Sequence, residues 1–241
     1  MSKELDEIRE EQKASWNRFA AAWKKWDPVT MEFLQPMKEA IISYLQPKDG
    51  QKILDIAAGT GEPALSIATS IKGGCVTITD ISEEMLNIAN EKAKTKNISN
   101  IETVLCDATK LPFDDSHFDA VSCRFGFMFF PDMQLAANEI WRVLKPGGRF
   151  ATTVWNFPEK NFWVTAIMGT IMRLMDMPPP PPEEPGMFRC CKPGRMRHIL
   201  EEAGFRKIEE REVLSTLKTK SVDEYWEMMT EIGASVVAAL S

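Results

Sequence analysis

The chain has 241 residues, 44% of them hydrophobic and 27% charged, which suffices for one domain with a sizeable buried core. Asp+Glu (35) outnumber Lys+Arg (29), so the net charge is −6 and the basic surplus of a phosphate-reading nucleic-acid binder is missing. No apolar stretch reaches the ~18–20 residues of a membrane span. The charged start, Met1 to Glu7, lacks the apolar run of a secretion signal, and five cysteines at 75, 106, 123, 190 and 191 form neither CxxC pairs nor a cluster with histidine. These features predict a reduced, cytoplasmic protein with no metal site.

Residues 1–46 read as helical, with Leu5, Ile8, Trp16, Phe19, Trp23 and Trp26 on one apolar stripe and breaks at Asp27-Pro28 and Pro36. A regular alternation follows: strand 52–57, helix 62–71, strand 75–79, and helix 82–96 with Ser82 as N-cap and Glu83 and Glu84 in its first turn. Strands 101–106, 118–124 and 149–155 come next, with helix 132–144 stopped by Lys145-Pro146-Gly147-Gly148. Strands separated by helices of about 10–15 residues indicate βαβ units, hence an α/β, doubly wound, mostly parallel Rossmann-like sheet. Residues 157–188 break the rhythm with one apolar helix and the run Pro178 to Pro182. The pattern then predicts helix 193–203 ended by Gly204, strand 205–214, and helix from Ser221 to the end. The resulting division is a helical cap (1–46), a core (47–156), an insertion or lid (157–192) and the remainder of the core (193–241).

The loop Ala57-Ala58-Gly59-Thr60-Gly61-Glu62-Pro63-Ala64 joins a strand to a helix. Its glycines permit a tight turn and close approach to a ligand at the strand ends. Gly59-x-Gly61-x-x-Ala64, with Asp80 19 residues beyond Gly61, fits a dinucleotide fingerprint. Asp55 lies four residues before Gly59, and Asp80 and Asp107 close the next two strands. Three carboxylates in one row suit a cationic nucleoside ligand and repel a pyrophosphate, which wants helix N–H groups. Acids in such positions also cap helices or fill turns.

Four segments in order, ILDIAAGTGE at 53–62, ITDISEEML at 78–86, LCDATKLPFDDSHFDAV at 105–121 and EIWRVLKPGGRF at 139–150, resemble the class I S-adenosylmethionine-dependent methyltransferases. The closest flavour is the ubiquinone/menaquinone-biosynthesis C-methyltransferases, whose N-terminal Phe and aromatic-Asp pair has the spacing of Phe19 and Trp26-Asp27. The resemblance implies that Asp55, Ala57, Gly59 and Gly61 hold the methionine end of S-adenosyl-L-methionine, and that Asp80 with Ile81 takes the ribose. It also implies that Met85 packs on the adenine, Asp107 and Ala108 bind its amino edge, Arg124 and Phe125 line the sulfonium side, and Trp26 joins the cofactor site. S-adenosyl-L-homocysteine would be the product. Ala57 and Ala58 depart from the family's first glycine, and Trp26 from its usual tyrosine. The family's last, antiparallel strand has no evident counterpart before Val236 to Ser241, so either the chain is cut short or the sheet edge is finished differently.

Methyl transfer from a sulfonium is an in-line displacement whose leaving thioether needs no proton, so orientation can supply most of the catalysis. His117 and His198 sit away from the expected crevice, and no Ser-His-Asp or Cys-His set presents itself. Vicinal Cys190-Cys191 lack a third soft ligand. The Trp-, Phe- and Met-rich segments around the strand ends predict a small, partly apolar acceptor, methylated at O, C or N. An NAD-dependent oxidoreductase and a non-catalytic cofactor-binding or partner module remain alternatives at this stage.

Overall fold

The computed structural model describes residues 3–178, 181 and 183–233. Pro36 and the Asp27-Pro28 step divide the N-terminal helical region into α1 (Lys3–Lys25), α2 (Asp27–Phe33) and α3 (Gln35–Leu45). In the core, β1 (Lys52–Ile56), α4 (Ala64–Ser70), β2 (Cys75–Asp80), α5 (Glu83–Thr95), β3 (Ile101–Leu105) and β4 (Phe118–Arg124) follow in order. Then come α6 (Met133–Val143), β5 (Leu144–Thr153), α7 (Phe162–Leu174), α8 (Arg195–Ala203) and α9 (Val222–Ile232).

The sheet has the order β3-β2-β1-β4-β5, and every pairing is parallel. β1 is central: Ile53, Leu54, Asp55 and Ile56 are buried on both faces, as expected of a strand covered by helices on each side. One face packs Leu54, Val121 and Ile140 with α6 and α8, and the other packs Ile53, Ile78 and Leu65 with α3, α4 and α5. The termini follow local chemistry. Ser82 Oγ accepts from Met85 N (3.2 Å) at the start of α5, and Asp132 Oδ1 accepts from Leu135 N (2.8 Å) at the start of α6. Gly204, at φ +111°, ends α8, and a Cβ there would sit 2.9 Å from the Trp141 ring.

Two expectations need correction. β5 begins at Leu144, so Lys145-Pro146-Gly147-Gly148 belongs to the strand; a Cβ on Gly148 would lie 2.4 Å from Leu144 Cδ2, and the register with β4 shifts there. Residues 205–214 form no strand. Burial alternates residue by residue from 213 to 219 instead, with Val213 and Leu217 turned inward, mostly beyond the stretch predicted as a strand. Side chains hold this segment to α2 in place of a backbone ladder: Ser215 Oγ donates to Phe33 O, and Lys218 lies 3.8 Å from Glu32. No antiparallel strand occurs among the described residues, and 236–241 lie outside them.

Arg142 fastens the loop that feeds β4. Its guanidinium donates to Phe113 O (2.7 Å), Leu111 O (3.0 Å) and Glu139 (2.7 Å), while Glu139 accepts from Leu111 N (2.8 Å). Arg142→Ala leaves the carbonyls of Leu111 and Phe113 without this donor and Glu139 with the Leu111 amide alone, and is expected to lower stability by about 2 kcal/mol. Urea unfolding checks this, and an unchanged midpoint would contradict it.

Candidate active site

β1 pairs with β2 on one side and β4 on the other, so the chain order reverses about it, and the crevice of a doubly wound sheet opens at its carboxyl end. The glycine loop leaves β1 there, with φ of +52° at Ala57, +55° at Gly59 and +102° at Gly61. A Cβ on Gly61 would come within 2.9 Å of Leu65 Cδ1 and 3.1 Å of the Ala89 methyl, so α4 and α5 close on bare backbone. A Cβ on Gly59 would meet nothing within 4 Å, which leaves the outer side of the loop open. Ala57 carries a Cβ in a left-handed conformation, at a cost of about 1 kcal/mol relative to glycine. Phe125, at φ +58°, does the same at the end of β4, and a Cβ on Gly126 would be 2.7 Å from that of Ala57. The two loops that border the crevice therefore approach closely enough that position 126 has no room for a side chain.

The three acids differ in their surroundings. Asp55 is fully buried; its Oδ1 accepts from Ser122 Oγ (2.6 Å) and its Oδ2 from Ala64 N (3.2 Å). Burial pushes its pKa up to about 7, against the opposing pull of Ser122, Arg124 and the Ala64 amide. It braces the glycine loop from beneath; the expectation of a carboxylate aimed into the loop gives way to this supporting position. Asp80 accepts from Gly59 N and Ser82 N, both at 2.9 Å, and burial raises its pKa as well. Asp107 is more open, accepting from Thr109 N (2.8 Å) and Thr109 Oγ (2.7 Å). It also receives Arg9 of α1, whose Nε donates to Oδ2.

α1 lies across this row. Besides Arg9 at Asp107, Asn17 Oδ1 accepts from Ser82 Oγ (2.7 Å), Lys24 pairs with Glu91, and Trp16 meets Phe129 edge-on at 5.2 Å. Met85 is buried against Ala20, with Trp16 and Trp23 beside it; Ile81 is half-buried, and Ala108 is buried in the core under Asp107. Arg124 closes β4, its Nε donating to Glu62 O (3.0 Å); burial pushes its guanidinium down while Asp55, Glu62 and Asp27 hold it up.

Beyond Arg124 an aromatic wall begins. Phe125 stacks on Trp155 (4.1 Å, 12°), Phe33 stacks on Trp155 from further off (6.1 Å), and Trp163 meets both Phe33 and Trp155 at 5.0 and 5.1 Å. The Trp163 Nε1 and Thr153 Oγ1 atoms here are buried without a hydrogen-bond partner among the described residues.

Trp26 stands apart from this group. Its ring is buried among Val164, Ile167 and Met228 of α7 and α9, and its Nε1 donates to Glu231 (2.6 Å). Its neighbour Asp27 reaches the loop instead: Oδ1 accepts from Thr60 Oγ (3.0 Å) and Lys92 Nζ (2.8 Å). The sequence reading met Asp27 only as half of the Trp26-Asp27 pair and Arg9 not at all, because a helix-starting acid and a surface arginine carry no local mark of a partner distant in sequence. His117 lies at the opposite end of β4, 3.5 Å from Lys52 Nζ, and His198 is exposed on α8 beside Glu202.

A parallel sheet with a glycine loop at its switch point and acids on the next strand ends is an α/β Rossmann-like methyltransferase fold. The model of the ubiE/COQ5 methyltransferase family matches residues 24–168, and the chain belongs to that family. It is 40% identical over 121 residues to the demethylmenaquinone methyltransferase of Staphylococcus carnosus, covering 50% of this chain and 49% of the relative. It is 43% identical over 117 residues to the ubiquinone/menaquinone biosynthesis C-methyltransferase UbiE of Brucella canis, covering 47% and 44%. The chain thus spans about half the length of the curated relatives it matches. Among solved structures, a SAM-dependent methyltransferase from Aquifex aeolicus superposes with a TM-score of 0.61 at 26% identity, over 80% of this chain and 91% of that one. The Haemonchus contortus phosphoethanolamine N-methyltransferase 2, solved with S-adenosyl-L-methionine, shares the fold (TM-score 0.53, 24% identity, 72% of this chain and 37% of that one).

The buried Asp55 has a pH consequence. Its folded-state pKa of about 7 lies above its ordinary 3.8, so between these values the native state keeps a proton that the unfolded chain has released. Stability therefore falls as pH rises from about 4 to 7, and Asp80 adds a contribution of the same sign. Asp55→Asn is expected to flatten the pH dependence of the urea midpoint across that window, and an unaltered slope would contradict the assignment.

Proposed function

We propose that the chain is an S-adenosylmethionine-dependent methyltransferase acting on a small aromatic acceptor that carries oxygen substituents, of the quinone kind that its relatives' names specify. The observation that carries this reading is the row of Asp107, Asp80 and the glycine loop, with Phe125 beyond it, on adjacent strand ends in a member of this family. The residues present fit the cofactor. The loop of Ala57, Gly59 and Gly61 is open at Gly59, where a nucleoside's amino-acid tail would lie, and Asp55 would hold that loop in place from beneath. Asp80, with Ile81 beside it, would hold the ribose hydroxyls. Asp107 and the Ala108 amide would hold the adenine edge, and Met85 would pack on its face. Arg124 and Phe125 would flank the sulfonium side, and Trp26 would act at one remove, by packing α2 so that Asp27 meets Thr60.

Bound in this way, the cofactor supplies an electrophilic methyl group and departs as a thioether. The chain's own contribution is then orientation and exclusion of water. Phe125, Trp155, Phe33 and Trp163 offer stacking surface to a planar acceptor. The unpartnered Trp163 N–H and Thr153 hydroxyl offer hydrogen bonds to its oxygens. In this reading residues 1–46 form a cap and 157–192 a lid over the core, and Arg9 holds Asp107 until the adenine replaces it.

Asp80→Asn is expected to weaken S-adenosylhomocysteine binding at least tenfold, at about 1.4 kcal/mol per tenfold, and calorimetric titration reads this directly. Arg9→Ala, which frees Asp107, is expected to tighten the same binding by about threefold, the worth of an ion pair near the surface; weaker binding would instead make Arg9 part of the site. With demethylmenaquinol as acceptor, Trp155→Ala is expected to lower kcat/KM roughly tenfold or more while leaving S-adenosylhomocysteine affinity unchanged. Cofactor binding without methyl transfer to this quinol would overturn the acceptor class.

A further inference from the structure

Away from the crevice, an open surface hollow of about 590 Å³ lies between the start of α6, the start of α8 and Leu5 of α1. Arg189, Lys192, Arg195 and His198 line it, and among the described residues that do so Asp132 is the one acid. The Asp132 carboxylate is engaged at the N-terminus of α6, where it accepts from Leu135 N. Arg195 pairs with Glu183, which lies outside the lining and whose side chain is 70% exposed, so this partner is readily exchanged with water. Arg189 spends both terminal nitrogens on backbone, on Phe130 O (2.5 Å) and Pro131 O (3.4 Å), while its Nε is buried and donates to nothing among the described residues. Burial, and next the charge of Arg195, push the Arg189 guanidinium down, with the acids Glu183 and Asp132 opposing the shift. Met133, Ile199 and Leu5 add apolar surface to the same hollow.

We propose that this hollow is a binding site for a small amphipathic anion, a phosphate or carboxylate group on an apolar body. Arg189, Lys192 and Arg195 hold the anionic group, and Leu5, Met133 and Ile199 receive the apolar part. An anion here relieves the mutual repulsion of the arginines and offers them the planar or multidentate acceptor that guanidinium groups match best. The volume suits a molecule of metabolite size. The site shares no residue with the acid row or the aromatic wall, so the inference does not depend on the methyl-transfer reading.

Calorimetric titration of the full chain at low ionic strength with hexyl phosphate, octanoate and hexyltrimethylammonium tests it. At least one of the two anions is expected to bind saturably while the ammonium does not; the anion that binds, or binds more tightly, identifies the headgroup. Lys192→Glu combined with His198→Glu changes two exposed residues. This pair is expected to weaken anion binding at least tenfold, with S-adenosylhomocysteine affinity and urea midpoint unchanged. Absence of saturable binding by either anion at roughly 5 mM, equal binding of the ammonium, or full retention of binding in the double variant would each overturn the site.

Discussion

One carboxylate out of reach of water organises the crevice. Asp55 sits at the centre of the sheet, shared between the hydroxyl of Ser122 on β4 and the amide of Ala64 at the head of α4. It ties β1, β4 and α4 together directly beneath the glycine loop. Because the loop is fixed from below, Gly59 can present its amide to Asp80 on the next strand, and Asp80 in turn orders the start of α5 through Ser82. Replacing water with two oriented donors and the charge of Arg124 is what allows a carboxyl group to stay there, and its raised pKa records how incompletely that replacement is made.

The covering layer depends on the same row. α1 brings Arg9, Asn17 and Trp16 across the strand ends, so the cap is attached to the residues it covers. A cap held by the side chains a ligand would use is coupled to that ligand: contacts made with one are withdrawn from the other. The aromatic wall lies on the far side of Arg124, built from α2, β4, the end of β5 and α7. The acids at the ends of β2 and β3 and the rings beyond β4 thus lie on opposite sides of β1.

Much of this was legible in the sequence because the core strands are buried on both faces. Runs such as Ile53-Leu54-Asp55-Ile56 and Cys75 to Asp80 have few other destinations, and Ser82 and Asp132 announce their helices by capping chemistry. Where the sequence misled, the reason is local ambiguity. Lys145-Pro146-Gly147-Gly148 has turn composition, yet Gly148 is there because β4 and Leu144 leave no room for a Cβ. Phe205, Ile208 and Val213 turn inward from 205–214 without a ladder partner, so burial of scattered apolar residues there does not make a strand. Among the site residues, the acid row followed from strand-end positions alone. The supporting role of Asp55, the burial of Trp26 among α7 and α9, and the reach of Arg9 to Asp107 depend on contacts between distant parts of the chain, which no local pattern encodes.

The acid row and open glycine loop are expected to select a sulfur nucleoside over a pyrophosphate dinucleotide. Parallel calorimetric titrations of the chain with S-adenosylhomocysteine, S-adenosylmethionine and NADH test it most directly. The account predicts micromolar binding of both sulfur nucleosides and none of NADH. Binding of NADH, with neither sulfur nucleoside bound, would contradict it.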